Sequence, residues 1–446
     1  MSSTAFLASF GITKAFANLF VGIMSDKLGR KGCMILGWFL GIWLPVMQLV
    51  ATNWDTIAAS NLFLGVQNGL TWSCCIFMLL DISGPENRAF AIGLSETAGY
   101  MTSALFALVK AALIVDKKVT EGGYYRPDSQ WLCLTLMVLG MMASFLLVET
   151  KPAATIKTPT KMAPVVYIEW PSGRRDAVNS SVVVFSYASV LRGPLFAVAI
   201  AGLITNTLTG LDWGIVQQWY RDANGPDLSK DQVAQALLTY GISKGAIQWL
   251  AGFLSDRMGR RVQVVIGMLT QAAGLLILIL GGLYGGQSSQ LTFNLLLWGS
   301  FTLGMGTAIL YPVLLACITD WAEPDWKATA LGCYRFWRDL GFAIGGIIAA
   351  GIADAYGISV AFGVLICVCV MSALQFGFFY TDPSEECITL PAEALKEVAA
   401  LNDECIPLPL PAEAPKEVAK AASIPVPLTL LHSSRATHVT SGVSEH

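Results

Sequence analysis

Several ionisable side chains fall deep within otherwise apolar stretches of this chain, among them Lys14, Glu96, Lys244, Arg335, Arg338 and Asp339. Lys14 precedes Asp26 by twelve residues and Lys244 precedes Asp256 by twelve, which is about 18 Å of helix in each case. Glu96 lies eight residues past Arg88, and Arg335, Arg338 and Asp339 lie eight to twelve past Lys327. A charge at the centre of a lipid bilayer costs about 2.5–3.5 kcal/mol on insertion scales, so such side chains face a partner or water and mark pathways. The chemistry they suit is the binding of ions and charged solutes. A carboxylate in a low-dielectric setting, such as Glu96, is also a candidate proton carrier. Further polar candidates for the same cavity are Asn61, Gln67, Asn68 and Trp72, then Asn206, Asp212 and Gln217, then Asn294 and Tyr311. Trp72 and Tyr311 could stack a ligand.

The elements that must hold these residues are long apolar helices. The chain is 54% hydrophobic and 13% charged, with mean hydropathy +0.58. A span needs roughly 20 mainly apolar residues, and eleven candidates appear, at about 3–25, 32–52, 56–80, 89–114, 130–148, 191–217, 232–254, 262–283, 291–317, 328–351 and 357–380. The expected class is an all-α polytopic membrane protein. With the Asp26–Lys31 turn placed inside, most Lys and Arg of the loops fall on that side, including Lys27, Arg30, Lys31, Arg88, Arg257, Arg260, Arg261 and Lys327. The positive-inside rule then puts the C-terminus in the cytoplasm. The plasma membrane is the expected site, with an organelle membrane as the alternative. The cysteines show no metal-ligand spacing and read as small packing residues of helices. Asn179-Ser180-Ser181 matches a glycosylation sequon but falls in a loop placed inside.

Two stretches repeat. Gly11-Ile12-Thr13-Lys14 leads to Gly22 and Asp26-Lys27-Leu28-Gly29-Arg30-Lys31; 230 residues on, Gly241-Ile242-Ser243-Lys244 leads to Gly252 and Asp256-Arg257-Met258-Gly259-Arg260-Arg261. Asp81, Arg88-Ala89 and Gly93 recur at an offset of 239 as Asp320, Lys327-Ala328 and Gly332. Repeats running in one direction imply two halves related by an axis along the membrane normal. The expected organisation is a helical bundle over 1–150, a cytoplasmic linker over 151–190, a six-helix bundle over 191–382 and a tail over 383–446. The tail repeats a Pro/Ala/Glu/Lys-rich segment and reads as disordered. Within the turns, Gly22 and Gly252 permit close helix approach and Gly29 and Gly259 a tight reversal. Asp26 and Asp256 suit the positive N-terminus of a neighbouring helix, and Arg30 and Arg260 suit carboxylates such as Asp81 and Asp320.

The paired turn resembles the signature loop of the major facilitator superfamily (MFS), which joins the second and third helices and recurs between the eighth and ninth. The Asp81…Arg88 and Glu149-Thr150-Lys151 segments are similar to further parts of that pattern. The resemblance covers about residues 3–380. It implies the MFS fold of two pseudo-symmetric bundles, of which eleven helices are visible, beginning with the second. It also implies that the loop cluster latches the halves together in the outward-open state and that they rock in alternating access. The Gly-Pro-rich fifth-helix motif of proton antiporters is missing: that stretch reads Gly93-Leu-Ser-Glu96-Thr-Ala-Gly-Tyr100.

The family arrangement sets helix 2 beside helix 11 and helix 5 beside helix 8. It therefore predicts two pairs, Lys14 with Asp339 and Lys244 with Glu96. Counting both as neutral leaves Arg335 and Arg338 over, a surplus suited to an anionic substrate. The expected function is secondary transport of a small organic anion coupled to protons, by a monomer in the lipid bilayer. A non-transporting membrane receptor of the same fold, or an inactive truncated product, is the competing reading. No phosphate-binding loop, metal cluster or nucleophile–base set is present to suggest an enzyme, a cofactor or a nucleic-acid partner.

Overall fold

The computed structural model describes residues 2–115, 127–150, 167–169, 175–177, 181–222, 226–284, 290–322 and 326–382. The tail 383–446 and the sequon at Asn179 lie outside the described residues. The first half comprises α1 (Ser2–Leu28), α2 (Arg30–Gly41), α3 (Trp43–Leu49), α4 (Trp54–Ile82), α5 (Arg88–Val115) and α6 (Pro127–Leu146). The expected linker region contains β1 (Tyr167–Glu169) and β2 (Arg175–Ala177), an antiparallel pair, followed by α7 (Ser181–Ser186) and a π-helical turn at Tyr187–Leu191. The second half comprises α8 (Gly193–Leu211), a π-helical turn at Asp212–Val216, α9 (Gln217–Tyr220), α10 (Lys230–Ala246) and α11 (Gln248–Met258). It continues through α12 (Arg260–Tyr284), α13 (Gln290–Trp321), α14 (Lys327–Tyr356) and α15 (Ile358–Phe379).

Local chemistry sets the helix boundaries. Asn53 caps α4 by accepting the Thr56 amide at 2.8 Å, and Ser229 and Gln232 form a reciprocal capping box on α10. Gly29 and Gly259 hold φ of 82° and 89° between α1 and α2 and between α11 and α12. Any side chain is strained there, so each turn reverses tightly only because the residue is glycine.

Among the described residues, eight helical stretches are long and apolar enough to cross a membrane: 30–49, 54–82, 129–146, 193–220, 260–283, 290–321, 327–356 and 358–379. By this measure the count of eleven is not reached. The stretches that fall short, α1, α5 and α10–α11, are rich in Gly, Ala, Ser and Thr and carry Lys14, Glu96 and Lys244. Small residues and a charge lower mean hydropathy, and both belong to helix–helix seams. Large apolar side chains such as Phe16, Phe20, Leu269, Leu276 and Leu283 stay exposed on the outer faces, where hydrocarbon is the fitting solvent. The protein is a multi-pass integral membrane protein.

Two seams join the halves. α1 packs on α14, and α5 packs on α10 and α11. Glycines bring the backbones together at both. A β-carbon on Gly22 would come within 2.6 Å of the Ala328 carbonyl oxygen, and one on Gly252 would overlap the carbonyl of Ala89. The two seams therefore use equivalent glycines against equivalent turns.

Candidate functional site

At the Gly29/Gly259 end, a charged network ties the seams. Within the first half, Arg30 Nε lies 3.1 Å from Asp81 Oδ2, and Thr150 donates to the same oxygen at 3.2 Å. Glu149 accepts the amides of Arg30 and Lys31 at 2.9 and 3.0 Å, so a carboxylate sits on the N-terminus of α2. In the second half Arg260 bonds Asp320 at 2.9 Å and Asp256 at 2.7 Å. Asp256 then crosses to the first half, accepting the amides of Ala89 and Phe90 at the start of α5 at 3.3 and 2.9 Å. Arg88 crosses the other way, to the Thr319 carbonyl at 3.1 Å and Asp320 at 3.4 Å. The side chain of Asp26 lies outside the described residues. This end of the molecule is closed by direct bonds between the halves.

Midway along the seams the halves enclose a cavity of about 240 Å³. Its charged lining is Lys14, Lys244, Arg338 and Asp339. Lys14 Nζ stands 3.8 Å from Asp339 Oδ1. The same carboxylate accepts Arg338 Nη2 at 3.2 Å and Asn206 Nδ2 at 3.1 Å, and Asn18 bonds its other oxygen. One carboxylate thus serves two cations. Tyr311 donates to Asn206 Oδ1 at 2.5 Å and shares a hydrogen bond with Thr209 at 3.1 Å, which fixes its ring as a platform. Arg338 lies 5.1 Å from the centroid of that ring.

Lys244 does not meet Glu96, which corrects the second predicted pair. Its ammonium group lies among three phenol rings, at 4.3 Å from Tyr100, 4.5 Å from Tyr311 and 5.6 Å from Tyr240. Its hydrogen-bond partner is the Tyr311 hydroxyl at 3.4 Å. Glu96 instead accepts the indole N–H of Trp72 at 2.8 Å, and its other oxygen is buried without a partner. The sequence carried a usable signal for this arrangement. The offset of 239 that relates Asp81 to Asp320 maps Asp339 onto Tyr100, not onto Glu96. It likewise maps Arg335 onto Glu96 and Tyr311 onto Trp72.

Arg335 is 0% exposed, and none of its three side-chain nitrogens has a hydrogen-bond partner among the described residues. It lies one turn from Arg338 along α14, outside the cavity lining. Asn61, Asn68, Trp72, Asn206 and Tyr311 line the cavity as expected. Asp212 does not; it is buried where α8 gives way to a π-helical turn. Gln67 turns away to bond Thr71 at 3.2 Å, and Asn294 is exposed on α13, bonded to Gln290. Sequence reasoning missed the apolar and small lining residues Phe10, Leu64, Ser103, Thr209 and Phe342. Leu64 was within reach, because it shares the helical face of Asn61 and Asn68.

Similar proteins bear on this geometry. The sequence profile of the Major Facilitator Superfamily matches residues 2–217 and again 195–430, one match per half. A hexuronate transporter of Bacillus subtilis (strain 168) is 25% identical over 182 residues, covering 40% of this chain and 39% of that one. Major facilitator superfamily domain-containing protein 10 of Bos taurus is 24% identical over 395 residues, covering 82% and 74%. Among solved structures, the human organic anion transporter MFSD10 (TETRAN) superposes with a TM-score of 0.63 at 18% identity, covering 84% of this chain and 83% of that one. The transporter FucP, in the outward conformation, gives 0.62 at 13% identity, covering 84% and 89%. A profile matched twice, on halves whose glycine seams and charged turns repeat, places this chain in the Major Facilitator Superfamily.

Proposed function

We propose that the chain is a secondary transporter that carries a small organic anion by alternating access. The observation that carries this reading is the charge of the cavity. Lys14, Lys244 and Arg338 face it with Asp339 as the opposing carboxylate in the lining, and Lys244 has no carboxylate within ion-pair distance among the described residues. An uncompensated cation in a low-dielectric cavity is stabilised by an anionic ligand. The network at the Gly29/Gly259 end acts as the latch, and the positive-inside pattern assigns that end, with the C-terminus, to the cytoplasm. A relative that transports hexuronate and a structural neighbour described as an organic anion transporter agree with an anionic cargo.

Glu96 is the proposed coupling site. One of its oxygens is buried without a hydrogen-bond partner among the described residues, and intramembrane carboxylates mark ion and proton pathways. Trp72 connects it to the cavity wall. Proton-driven symport then follows if Glu96 loads and releases its proton as the halves rock.

The test is uptake into proteoliposomes of small organic anions and of neutral solutes, with and without an inward proton gradient. Saturable anion uptake that the gradient accelerates supports the reading. The Glu96→Gln variant is expected to transport without that acceleration. Absence of flux for every anion tried would sink the carrier reading in favour of a non-transporting receptor.

A further inference from the structure

Resting on the anion-carrier reading, we infer that the cargo is a single-ring aromatic carboxylate bearing one polar substituent, not a polyhydroxylated sugar acid. The hydrogen-bonding inventory of the cavity leads to this. Its second-half neutral groups are already engaged. Asn206 gives its amide hydrogens to the Arg338 carbonyl and Asp339 and receives Tyr311. Thr209 bonds both Tyr240 and Tyr311. Ser103, on the first half, donates to the Gly99 carbonyl at 2.9 Å. A sugar acid has a hydroxyl on nearly every carbon, and each would enter a site with few free partners. Unpaired buried hydroxyls weaken binding steeply.

Three neutral lining groups retain capacity: Asn61 and Asn68 on α4 and the Tyr100 hydroxyl on α5. Asn68 makes no hydrogen bond among the described residues, and its side-chain oxygen is buried. Asn61 donates to the Ile57 carbonyl at 2.8 Å, leaving its own oxygen free. Asn61 and Asn68 lie on one face of α4 and share the cavity lining with Lys14 of α1, Lys244 of α10 and Arg338 of α14. Other walls are apolar or aromatic: Phe10, Leu64, Trp72 and Phe342. Phe10 and Phe342 meet edge to face across the halves, with ring centroids 5.9 Å apart. The carboxylate therefore lies between Lys244 and the unpartnered Nη1 of Arg338, the ring against these walls, and one polar group at Asn68. A volume of about 240 Å³ falls below the roughly 300–1,000 Å³ of sites for drug-sized ligands. One ring suits it.

The deciding experiment is titration calorimetry on the purified full chain with benzoate, 4-hydroxybenzoate, galacturonate and benzamide. 4-Hydroxybenzoate is expected to bind tightest, benzoate several-fold weaker, galacturonate at least tenfold weaker than 4-hydroxybenzoate, and the neutral benzamide not measurably. In Asn68→Leu the preference for 4-hydroxybenzoate over benzoate is expected to fall to about one. Galacturonate binding as tightly as 4-hydroxybenzoate overturns this inference and leaves the anion carrier standing. Benzamide matching benzoate overturns the anion reading itself. A preference that survives Asn68→Leu removes that residue from the assignment, and the wild-type ligand series decides the cargo class even if the variant does not fold.

Discussion

Lys14 and Lys244 hold equivalent places in the two halves, yet Lys14 reaches a carboxylate at 3.8 Å and Lys244 reaches three phenol rings. The difference originates in the facing helices. α14 presents Asp339 to Lys14, whereas α5 presents Tyr100, its counterpart at an offset of 239, to Lys244. One turn further along, the same helices carry Arg335 and Glu96, opposite charges at matched positions. The backbone therefore repeats while the charges do not. A duplicated scaffold gives two seams built alike, and a single carboxylate-to-phenol difference leaves Lys244 without an ion-pair partner among the described residues.

The sharpest way to break this comparison is to remove the carboxylate from the half that has it. Asp339→Asn leaves Lys14 and Arg338 uncompensated and, by turning one carboxylate oxygen into an amide NH2, strips the acceptor from one of Asn18 and Asn206. Breaking a buried pair from one side costs about 3–5 kcal/mol, so the thermal midpoint of the purified chain should fall by several degrees. Glu96→Gln, which keeps the Trp72 hydrogen bond, should lower it far less. Equal losses would mean that the two positions are not electrostatically distinct.

The seams offer the next test. Ala at Gly252 would drive a β-carbon into the Ala89 carbonyl, and Ala at Gly22 would approach the Ala328 carbonyl at 2.6 Å. Both contacts are backbone, so neither can yield by a side-chain rotation. Overpacking of this kind costs about 1–3 kcal/mol, charged here against the state in which the Gly29/Gly259 end is closed. Gly252→Ala should loosen that end more than Gly22→Ala, because its overlap is deeper. The rate of maleimide labelling of a cysteine placed at Lys327 reads this out, and equal rates would make the seams equivalent.

A third substitution makes the halves alike. Tyr100→Asp gives Lys244 the residue type that Lys14 already has. The cavity then loses its free cation, and anion uptake is expected to fall about tenfold, or about 1.4 kcal/mol. Lys244→Gln should do the same, while Lys14→Gln should reduce uptake less because Arg338 still holds Asp339. If Tyr100→Asp transported anions at the original rate, Lys244 would not be the ligand's cation.

Much of this arrangement is legible in the chain itself. The offset of 230 aligns Gly22 with Gly252 and Gly29 with Gly259, and a repeated glycine at a turn has few explanations other than positive φ or close approach. The Lys14–Asp339 contact follows from matched depth together with the family's helix order. The Lys244 environment was misread because depth alone selects Glu96, and aromatic partners for a cation do not register in a search for carboxylates. Hydropathy alone picks out fewer spans for a related reason: helices that line a seam trade apolar bulk for Gly, Ala, Ser and one charge. Asp212 and Asn294 show the remaining limit, since a polar residue in an apolar run can face a π-helical turn or the outside as readily as a cavity.

The smallest expected difference lies at the latch, between Arg88 and its counterpart Lys327. Arg88 bonds the Thr319 carbonyl and Asp320 across the seam, whereas Lys327 makes no ion pair within 4.0 Å among the described residues. Both partners of the Arg88–Asp320 pair are partly exposed, at 20% and 18%, so screening limits the pair to about 0.2–1 kcal/mol. Asp320 also keeps Arg260 at 2.9 Å after Arg88 is removed, which holds its carboxylate in place. Arg88→Ala should therefore loosen the closed end only slightly, and raising the salt concentration should mimic much of that effect. Lys327→Ala should change it less still. A larger effect from Lys327→Ala than from Arg88→Ala would show that the α1–α14 seam, not the α5–α11 seam, holds the working part of the latch.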